Sequence, residues 1–167
     1  MKRVKELIDS CTLKLLSILY NDSRITYRKL SKKINISPVA CYNRVKKLRE
    51  SGIITGYTIK VDAMKLGYPI KALIEVKARQ GLSSMVAKKI FSLKHVARIY
   101  EITGERDAII EAYFRDIREL NEFLKNIRDM SEEILDTVTH IVLDEHENPN
   151  GWWLGAKEAQ LSSLLKT

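Results

Sequence analysis

The stretch that most constrains this chain is residues 26–52, TYRKLSKKINISPVACYNRVKKLRESG. It predicts two helices separated by a tight turn centred on Asn35 and Ile36. Ser37 is a typical helix N-cap, and Pro38 suits the first helical position, where a backbone N–H has no helical partner. Two helices joined by so short a turn predict a helix-turn-helix of the winged-helix-like kind.

The second of these helices has one apolar and one polar side. Cys41, Val45 and Leu48 recur at intervals of four and three residues, which places them on the side that faces a core. Gly52 is well suited to end the helix. The polar side and its flanks carry Val39, Tyr42, Asn43, Arg44, Lys46 and Lys47. This arrangement predicts a recognition helix that enters the major groove of DNA.

The positive charge of the chain is concentrated in the same region. The whole chain has a net charge of +8. Residues 1–64 carry 14 Lys and Arg against 5 Asp and Glu, a net charge of +9, whereas residues 65–167 carry 15 against 16, a net charge of −1. A uniformly basic chain would suggest only a well-solvated surface, but segregation into one half favours a polyanionic partner.

The expected DNA contacts fall into two groups. The first turn of the recognition helix, Ser37 to Val39, should lie closest to base edges, where Val39 can touch a thymine methyl group and Asn43 can pair with an adenine. The expected phosphate contacts are Arg44, Lys46 and Lys47, with Tyr27 and Lys29 from the preceding helix. Arg44 has an alternative role as a structural brace to the preceding helix or to the hinge that follows.

The remaining elements divide the chain into segments. Helical spacing predicts a first helix over about Asp9–Tyr20, and the β-branched run Ile53–Lys60 predicts a strand or hinge ribbon. Little periodicity follows over residues 61–68. The expected organisation is a DNA-binding domain over residues 1–52, a β-ribbon hinge over 53–68, a second domain over 69–144 and a C-terminal tail over 145–167.

The second domain has the residue alternation of a β-sheet. Its first strand alternates apolar and charged residues from Ile70 to Lys77, and later strands are predicted at Val96–Thr103, Asp107–Phe114 and within Glu132–Asp144. Amphipathic helices are predicted after the first and third strands. The order β-α-β-β-α-β is the ferredoxin-like pattern, so the expected fold class is α+β. In the later strands apolar residues occur at both odd and even positions, so they point to both faces of the sheet. This indicates that the second face is also buried, which favours oligomerisation.

Several classes of function have no support in the sequence. Cys11 and Cys41 form no CxxC motif, so two small buried hydrophobes in a reducing cytosol are expected rather than a zinc site. Without a secretory signal or an apolar run near the roughly 20 residues that span a bilayer, the protein should be cytoplasmic. No P-loop, G-x-S-x-G or H-E-x-x-H motif occurs, so no catalytic residue, metal or cofactor is expected.

Four strings together resemble the Lrp/AsnC (leucine-responsive, or feast/famine) family of transcription regulators. The strings are residues 35–41 (NISPVAC), 44–48 (RVKKL), 52–57 (GIITGY) and 103–107 (TGERD). The resemblance covers about residues 8–144 and implies a sequence-specific DNA-binding regulator, which we expect to be archaeal. It also implies homodimers that pair their hinge ribbons and effector sheets, assemble into tetramers or octamers, and bind roughly palindromic DNA sites.

The resemblance further implies an amino-acid effector bound between dimers. The matching positions are Thr103, Gly104, Arg106 and Asp107, with Thr137 and Thr139 across the cleft. A carboxylate such as Asp107 can hold an α-ammonium group, and backbone N–H groups around a glycine can hold an α-carboxylate. Many relatives have an aromatic residue where this chain has Arg106, so its pocket should prefer an acidic or polar side chain or bind nothing. An ordinary hairpin turn is the alternative interpretation of this loop.

Two other functions are alternatives. Siroheme decarboxylases resemble the same family in both domains and act through His and Arg; His95, His140 and His146 are available, although in no recognisable catalytic arrangement. A sensor that binds an effector but no DNA is the other alternative, and the basic N-terminal half argues against it.

The tail over residues 145–167 runs past the usual end of the family and contains Trp152 and Trp153. A strong turn signal precedes these tryptophans. The tail could pack on its own dimer, gate a ligand cleft or clamp an oligomer.

Overall fold

The computed structural model of the chain describes residues 7–79, 81, 84–130, 132–149, 151 and 153. The chain divides into two compact units. The first consists of residues up to Lys60 together with residues from His146 onward, and the second is Val61–Glu145. Within the described residues, no helix is both long and apolar enough to cross a membrane.

The helices described in the first unit are α1 (Ser10–Asn21), α2 (Tyr27–Ile34) and α3 (Pro38–Glu50). Each starts after a capping residue whose side chain accepts a hydrogen bond from a backbone N–H three residues later; these caps are Asp9, Thr26 and Ser37. Asn35, between α2 and α3, has a φ of 60°, a left-handed conformation that asparagine tolerates and that reverses the chain. The predicted turn and the Ser37-Pro38 helix start are therefore confirmed.

The apolar side of α3 packs into the core of this unit, as predicted. The buried core side chains are Leu15, Leu30, Ile34, Cys41, Val45 and Leu48. After α3, Ile53 and Ile54 pack against the same core, and the N–H of Ile54 donates to the carbonyl of Leu48 at 3.0 Å. The chain segment after the recognition helix is thereby fixed to the helical core.

The strand or hinge ribbon predicted over Ile53–Lys60 stays a prediction, because its expected partner is the ribbon of a second chain. No strand is assigned there in the described structure, and residues 55–60 are exposed. The physical reason is that a β-ribbon needs a second strand to satisfy its N–H and C=O groups, and propensity alone cannot supply one.

The second unit alternates strands and helices in the predicted β-α-β-β-α-β order. The elements are β1 (Ile70–Ala78), α4 (Ser84–Ser92), β2 (Val96–Glu101), β3 (Ala108–Phe114), α5 (Ile117–Arg128) and β4 (Ile134–Ile141). The sheet order is β2-β3-β1-β4, and every neighbouring pair is antiparallel. The predicted α+β class with a ferredoxin-like second domain is confirmed.

The two faces of this sheet are different. Ala72, Ile74 and Val76 of β1 are fully buried and pack, with residues of β3, against α4 and α5. The opposite face, which we call the open face, carries the intervening residues. Its central positions include Leu73 of β1 opposite Glu111 of β3, and Glu75 opposite Ile109. The open face therefore mixes apolar and charged side chains.

Candidate nucleic-acid interface and ligand site

The start of α3 presents its side chains to solvent. The Ser37 hydroxyl accepts a hydrogen bond from the N–H of Ala40 at 3.1 Å, and Pro38 follows at the first helical position. Val39 is 69% exposed, so its methyl groups are available for a contact. The predicted contact residues that lie exposed on α2, α3 and the turn between them are Tyr27, Lys29, Ser37, Pro38, Val39, Tyr42, Asn43, Lys46 and Lys47.

An aromatic pair joins α2 to the recognition helix. The rings of Tyr27 and Tyr42 meet edge to face, with their centroids 5.4 Å apart. Burial raises the pKa of Tyr27, and the neighbouring Tyr57 and Tyr42 raise it further, so its hydroxyl stays a neutral hydrogen-bond donor. This pair can present two phenol groups to a phosphate backbone from adjacent helices.

Next to this pair lies a groove that includes Arg49, a basic residue that was not predicted from the sequence as a DNA contact. The groove is lined by Tyr27, Tyr42, Val45, Lys46, Arg49, Glu50, Ile54 and Thr55. Arg49 is exposed at its edge, seven residues after Tyr42 and thus on the same side of the helix. That spacing was the signal that would have identified it.

The structure places Arg44 away from the expected phosphate contacts. Its Nη1 atom lies 2.6 Å from Oδ1 of Asp9 and 2.5 Å from Oγ1 of Thr12. Burial opposes ionisation of Asp9, but hydrogen bonds from Arg44 and from the Thr12 N–H outweigh it and lower the pKa of Asp9 to about 2. Arg44 is therefore a brace, as the alternative supposed, but to the start of α1 rather than to α2 or the hinge.

The loop between β2 and β3 is held by ion pairs within the unit. Arg106 Nη1 lies 2.7 Å from Asp136 Oδ2, and Arg106 Nε lies 3.7 Å from Glu75 Oε2. The hydrogen bond from Arg106 lowers the pKa of Asp136. The charge of Arg106 is thus compensated by two carboxylates on neighbouring strands.

Asp107 has a structural role at the end of the same loop. Its Oδ2 accepts a hydrogen bond from the N–H of Ala78 at 2.8 Å and lies 3.3 Å from Nζ of Lys77. The Ala78 N–H is the main cause of the lowered pKa of Asp107. Thr103 and Gly104 are exposed at the loop tip, and Gly104 has a φ of +116°, where a side chain would be strained.

Thr137 and Thr139 do not share a pocket with that loop in the single chain. They pair with Val76 and Ile74, so their side chains lie on the helix side of the sheet, whereas Asp136 pairs with Lys77 on the open face. Four of the six predicted effector residues therefore lie in the loop between β2 and β3, and the other two lie on the helix side of the edge strand β4.

Thr137 and Thr139 instead line a groove between α5 and β4. Its volume is about 450 Å³, and its lining is Leu124, Ile127, Arg128, Ile134, Leu135, Asp136, Thr137 and Thr139. It combines an apolar floor with one cation and two hydroxyl groups, whereas the Asp136 side chain lies on the open face. Arg128 was not predicted as a ligand residue. It follows Ile127, a predicted apolar position of α5, and that neighbouring position was the available signal.

A buried carboxylate lies at the centre of the open face. Glu111 is only 4% exposed. It accepts hydrogen bonds from the hydroxyl groups of Tyr100 and Tyr113, each at 3.0 Å, and lies 3.3 Å from Nζ of Lys71. Burial alone would raise the pKa of Glu111, but these partners outweigh it and hold the pKa below its usual value.

The histidines of the enzyme alternative are not gathered into one site. His95 lies just before β2, and its Nδ1 atom is 3.9 Å from Glu119 on α5. His140 lies on β4, and its Nε2 atom is 3.2 Å from Glu75 on β1. Strands β2 and β4 form opposite edges of the sheet, and His146 belongs to the first unit. No group of three or more His, Cys, Asp or Glu residues that could hold a metal occurs among the described residues.

Both units match known protein families. A family model described as winged helix-turn-helix DNA-binding matches residues 8–55, and one described as Lrp/AsnC ligand binding domain matches residues 71–151. An uncharacterised HTH-type transcriptional regulator of Pyrococcus furiosus is 39% identical over 137 residues, covering 82% of this chain and 92% of that protein. The HTH-type transcriptional regulator FL11 of the same archaeon is 33% identical over 144 residues, covering 86% and 95%.

Solved structures give the same result. Bacillus subtilis LrpC superposes with a TM-score of 0.75 at 28% identity, covering 84% of this chain and 98% of that one. Escherichia coli AsnC superposes with a TM-score of 0.70 at 30% identity, covering 84% and 95%.

Proposed function

The chain belongs to the Lrp/AsnC family of helix-turn-helix transcription regulators, which are not enzymes, and from that premise we propose how its residues divide the work. In this proposal the exposed start of α3 reads base edges, and the basic and phenolic groups around it bind phosphates. The observation that most directly supports it is that Val39 and Asn43 are both exposed and lie one turn apart on the same side of the helix.

The phosphate contacts follow from the charges that remain on the surface. Lys29, Lys46 and Lys47 are exposed beside the Tyr27–Tyr42 pair. Lys46 has Glu50 at 3.8 Å, an exposed pair too weak to compete with a phosphate. Arg44 is left out of the contact set because its guanidinium is engaged by Asp9.

Fluorescence anisotropy with a labelled duplex from the chain's own upstream region tests DNA reading. We expect tighter binding to that duplex than to a scrambled duplex, and a steep loss of affinity as salt rises, because counterions are released from the phosphates. Equal binding to both duplexes at every salt concentration would contradict sequence-specific reading.

We further propose that the groove between α5 and β4 binds a free amino acid. Arg128 suits an α-carboxylate, and the hydroxyl oxygens of Thr137 and Thr139 can accept hydrogen bonds from an α-ammonium group. Solved structures that share the fold, from Neisseria meningitidis and Mycobacterium tuberculosis, contain L-methionine. A second dimer would close the groove.

The proposed effector has an uncharged, apolar side chain. Leu124 and Ile127 supply an apolar floor, and Arg106, the reason for expecting an acidic or polar ligand, is already compensated by Asp136 and Glu75. A thermal-shift screen of the twenty amino acids tests this. Stabilisation by leucine, isoleucine or methionine but not by aspartate or glutamate is expected, and the reverse order would contradict it.

We also propose that the open face pairs with a second copy of the chain. Leu73, Ile109 and Val138 lie on it around the buried Glu111, whereas α4 and α5 pack on the opposite face of the sheet. A homodimer, with dimers associating further, would bury these side chains. Light scattering after size exclusion should give a multiple of 19.2 kDa; the mass of one chain would contradict it.

A further inference from the structure

The segment that follows the second unit returns to the DNA-binding unit. The family model for the second unit ends at residue 151, and the chain continues to residue 167. The described residues of this segment, 146–149, 151 and 153, belong to the first unit. Trp152, named in the sequence analysis, lies outside the described residues.

Aromatic and charged contacts converge at the end of α1. The rings of Trp153 and Tyr20 meet edge to face, with centroids 5.2 Å apart. The ammonium group of Lys60 lies 5.2 Å from the centre of the same Tyr20 ring and forms an ion pair with Glu147. A cation held between an aromatic face and a carboxylate is a favourable arrangement.

The backbone of the segment is fixed at the same place. Asn21 Nδ2 donates to the carbonyl of Pro149 at 2.6 Å, and the N–H of Gly151 donates to the carbonyl of Asn148 at 3.1 Å. Gly151 is buried with a φ of +82°, and a Cβ there would lie 2.5 Å from Cζ2 and Cη2 of Trp153. Glycine is therefore required for the turn that brings the indole against Tyr20.

These contacts join three parts of the chain. Tyr20 and Asn21 end α1, Lys60 is the last residue of the first unit before the chain enters the second, and Glu147 and Trp153 lie on the returning segment. A tail that only covered apolar surface would not need an ion pair to the end of the linker. The pair between Lys60 and Glu147 couples the tail to the linker itself.

We propose that the described residues 146–149, 151 and 153 form a clasp that fixes the end of the hinge linker to α1 of the DNA-binding unit. The chain then passes between its two units twice, at residues 60–61 and at residues 145–146. The clasp restricts the linker at its junction with the DNA-binding unit, so that this unit is held by two chain segments rather than one. The described contacts favour this role over a gate on the ligand groove.

Charge reversal with amide hydrogen exchange on the full-length protein tests the clasp. Lys60→Glu and Glu147→Lys should each speed exchange in the peptide covering residues 18–25, at the end of α1, by about threefold, as expected for an exposed ion pair. The double variant Lys60→Glu/Glu147→Lys should restore the wild-type rate, because the pair re-forms with its charges exchanged. Failure of the double variant to restore it would overturn the coupling.

A second pair of variants examines the aromatic contact. Trp153→Ala should speed exchange in the same peptide by about tenfold, because the edge-to-face contact with Tyr20 is lost. Ile59→Ala is the matched control, since Ile59 is adjacent to Lys60 but 79% exposed, and it should leave the rate unchanged. Unaltered exchange in Trp153→Ala would overturn the proposal.

The clasp is proposed to form within one chain, and mixing variants tests that point. Lys60→Glu and Glu147→Lys chains are unfolded, mixed, refolded together and compared with each refolded alone. Exchange in the mixture should remain the average of the two single variants. Restoration only in the mixture would overturn the intrachain clasp, because it would mean that the segment reaches the linker of a partner copy. These outcomes do not depend on DNA or effector binding.

Discussion

The guanidinium of Arg44 is bound by the N-cap of the first helix: Nη1 lies 2.6 Å from Oδ1 of Asp9. Asp9 also accepts the hydrogen bond that starts α1, from the N–H of Thr12 at 2.6 Å. One carboxylate thus caps α1 and orients α3. The recognition helix is fixed from its core side, which leaves its outer side free to contact DNA.

Removing this brace should destabilise the first unit in a pH-dependent way. The pKa of Asp9 is lowered from 3.8 to about 2 in the folded state, so its ionised form adds stability above pH 3.8, and this contribution is lost as the pH falls toward 2. Both side chains are partly exposed, so we expect Arg44→Met to cost about 1 kcal/mol at neutral pH after screening. Urea unfolding between pH 2 and pH 7 measures it.

The control for the brace is Lys46→Met. Lys46 lies on the same helix but pairs only with the exposed Glu50, so its loss should change the free energy of unfolding by less than about 0.5 kcal/mol. A cost for Arg44→Met that equals this control, or that does not shrink toward low pH, would argue against the brace.

Phosphate contacts should affect all DNA alike. Lys47→Ala is expected to weaken binding to specific and scrambled duplexes by the same factor and to reduce the slope of log affinity against log salt by about 1. Lys125→Ala removes the same charge from α5 in the second unit and should leave the slope unchanged. Anisotropy titrations at several salt concentrations distinguish a local contact from a general effect of net charge.

The buried Glu111 should be important for the stability of the second unit. Glu111→Ala leaves the partly buried Lys71 without one of its carboxylates, and we expect a loss of about 3 kcal/mol in the free energy of unfolding. Because the pKa of Glu111 is lowered from 4.5 on folding, its contribution is present above pH 4.5 and is lost as the pH falls below it.

Glu122→Gln provides the comparison, since Glu122 is exposed and pairs only with Arg118 on α5. Its effect on denaturant unfolding should be below about 0.5 kcal/mol. Similar costs for Glu111→Ala and Glu122→Gln would show that the network around Glu111 does not stabilise the sheet.

Arg128 should be required for effector binding. If its guanidinium holds the α-carboxylate, Arg128→Gln should abolish the thermal shift produced by an apolar amino acid, which corresponds to a loss of about tenfold or more in affinity. Arg118→Gln, on the same helix but outside the groove, should keep the shift. Retention of the shift in Arg128→Gln would place the ligand elsewhere, with the loop at Thr103–Asp107 as the next candidate.

The features that were predictable from sequence depend on local physics. Ser37 and Pro38 fix a helix start through capping and ring geometry, and the alternation around Ile74 follows from the period of a strand. No long-range information was needed for either. The order of strands and helices then restricted the second unit to a ferredoxin-like fold.

The features that nearby sequence did not indicate involve partners that are distant in the sequence or belong to another chain. Arg44 finds Asp9, 35 residues earlier, and nothing near Arg44 indicates that partner. Ile53–Lys60 has strand propensity, but its single chain provides no strand to pair with. Thr137 lies on the helix side of the sheet because it pairs with Val76, and the residues near Thr137 do not indicate that register.

The central claim is that the outer side of α3 reads DNA sequence, and Asn43→Ala tests it most directly. The measurement is the ratio of affinities for the chain's upstream duplex and a scrambled duplex at one salt concentration, for the wild type and the variant. A lost bidentate base contact should lower this ratio by about 5- to 100-fold while binding to the scrambled duplex stays unchanged. An unchanged ratio, or equal losses on both duplexes, would contradict the claim.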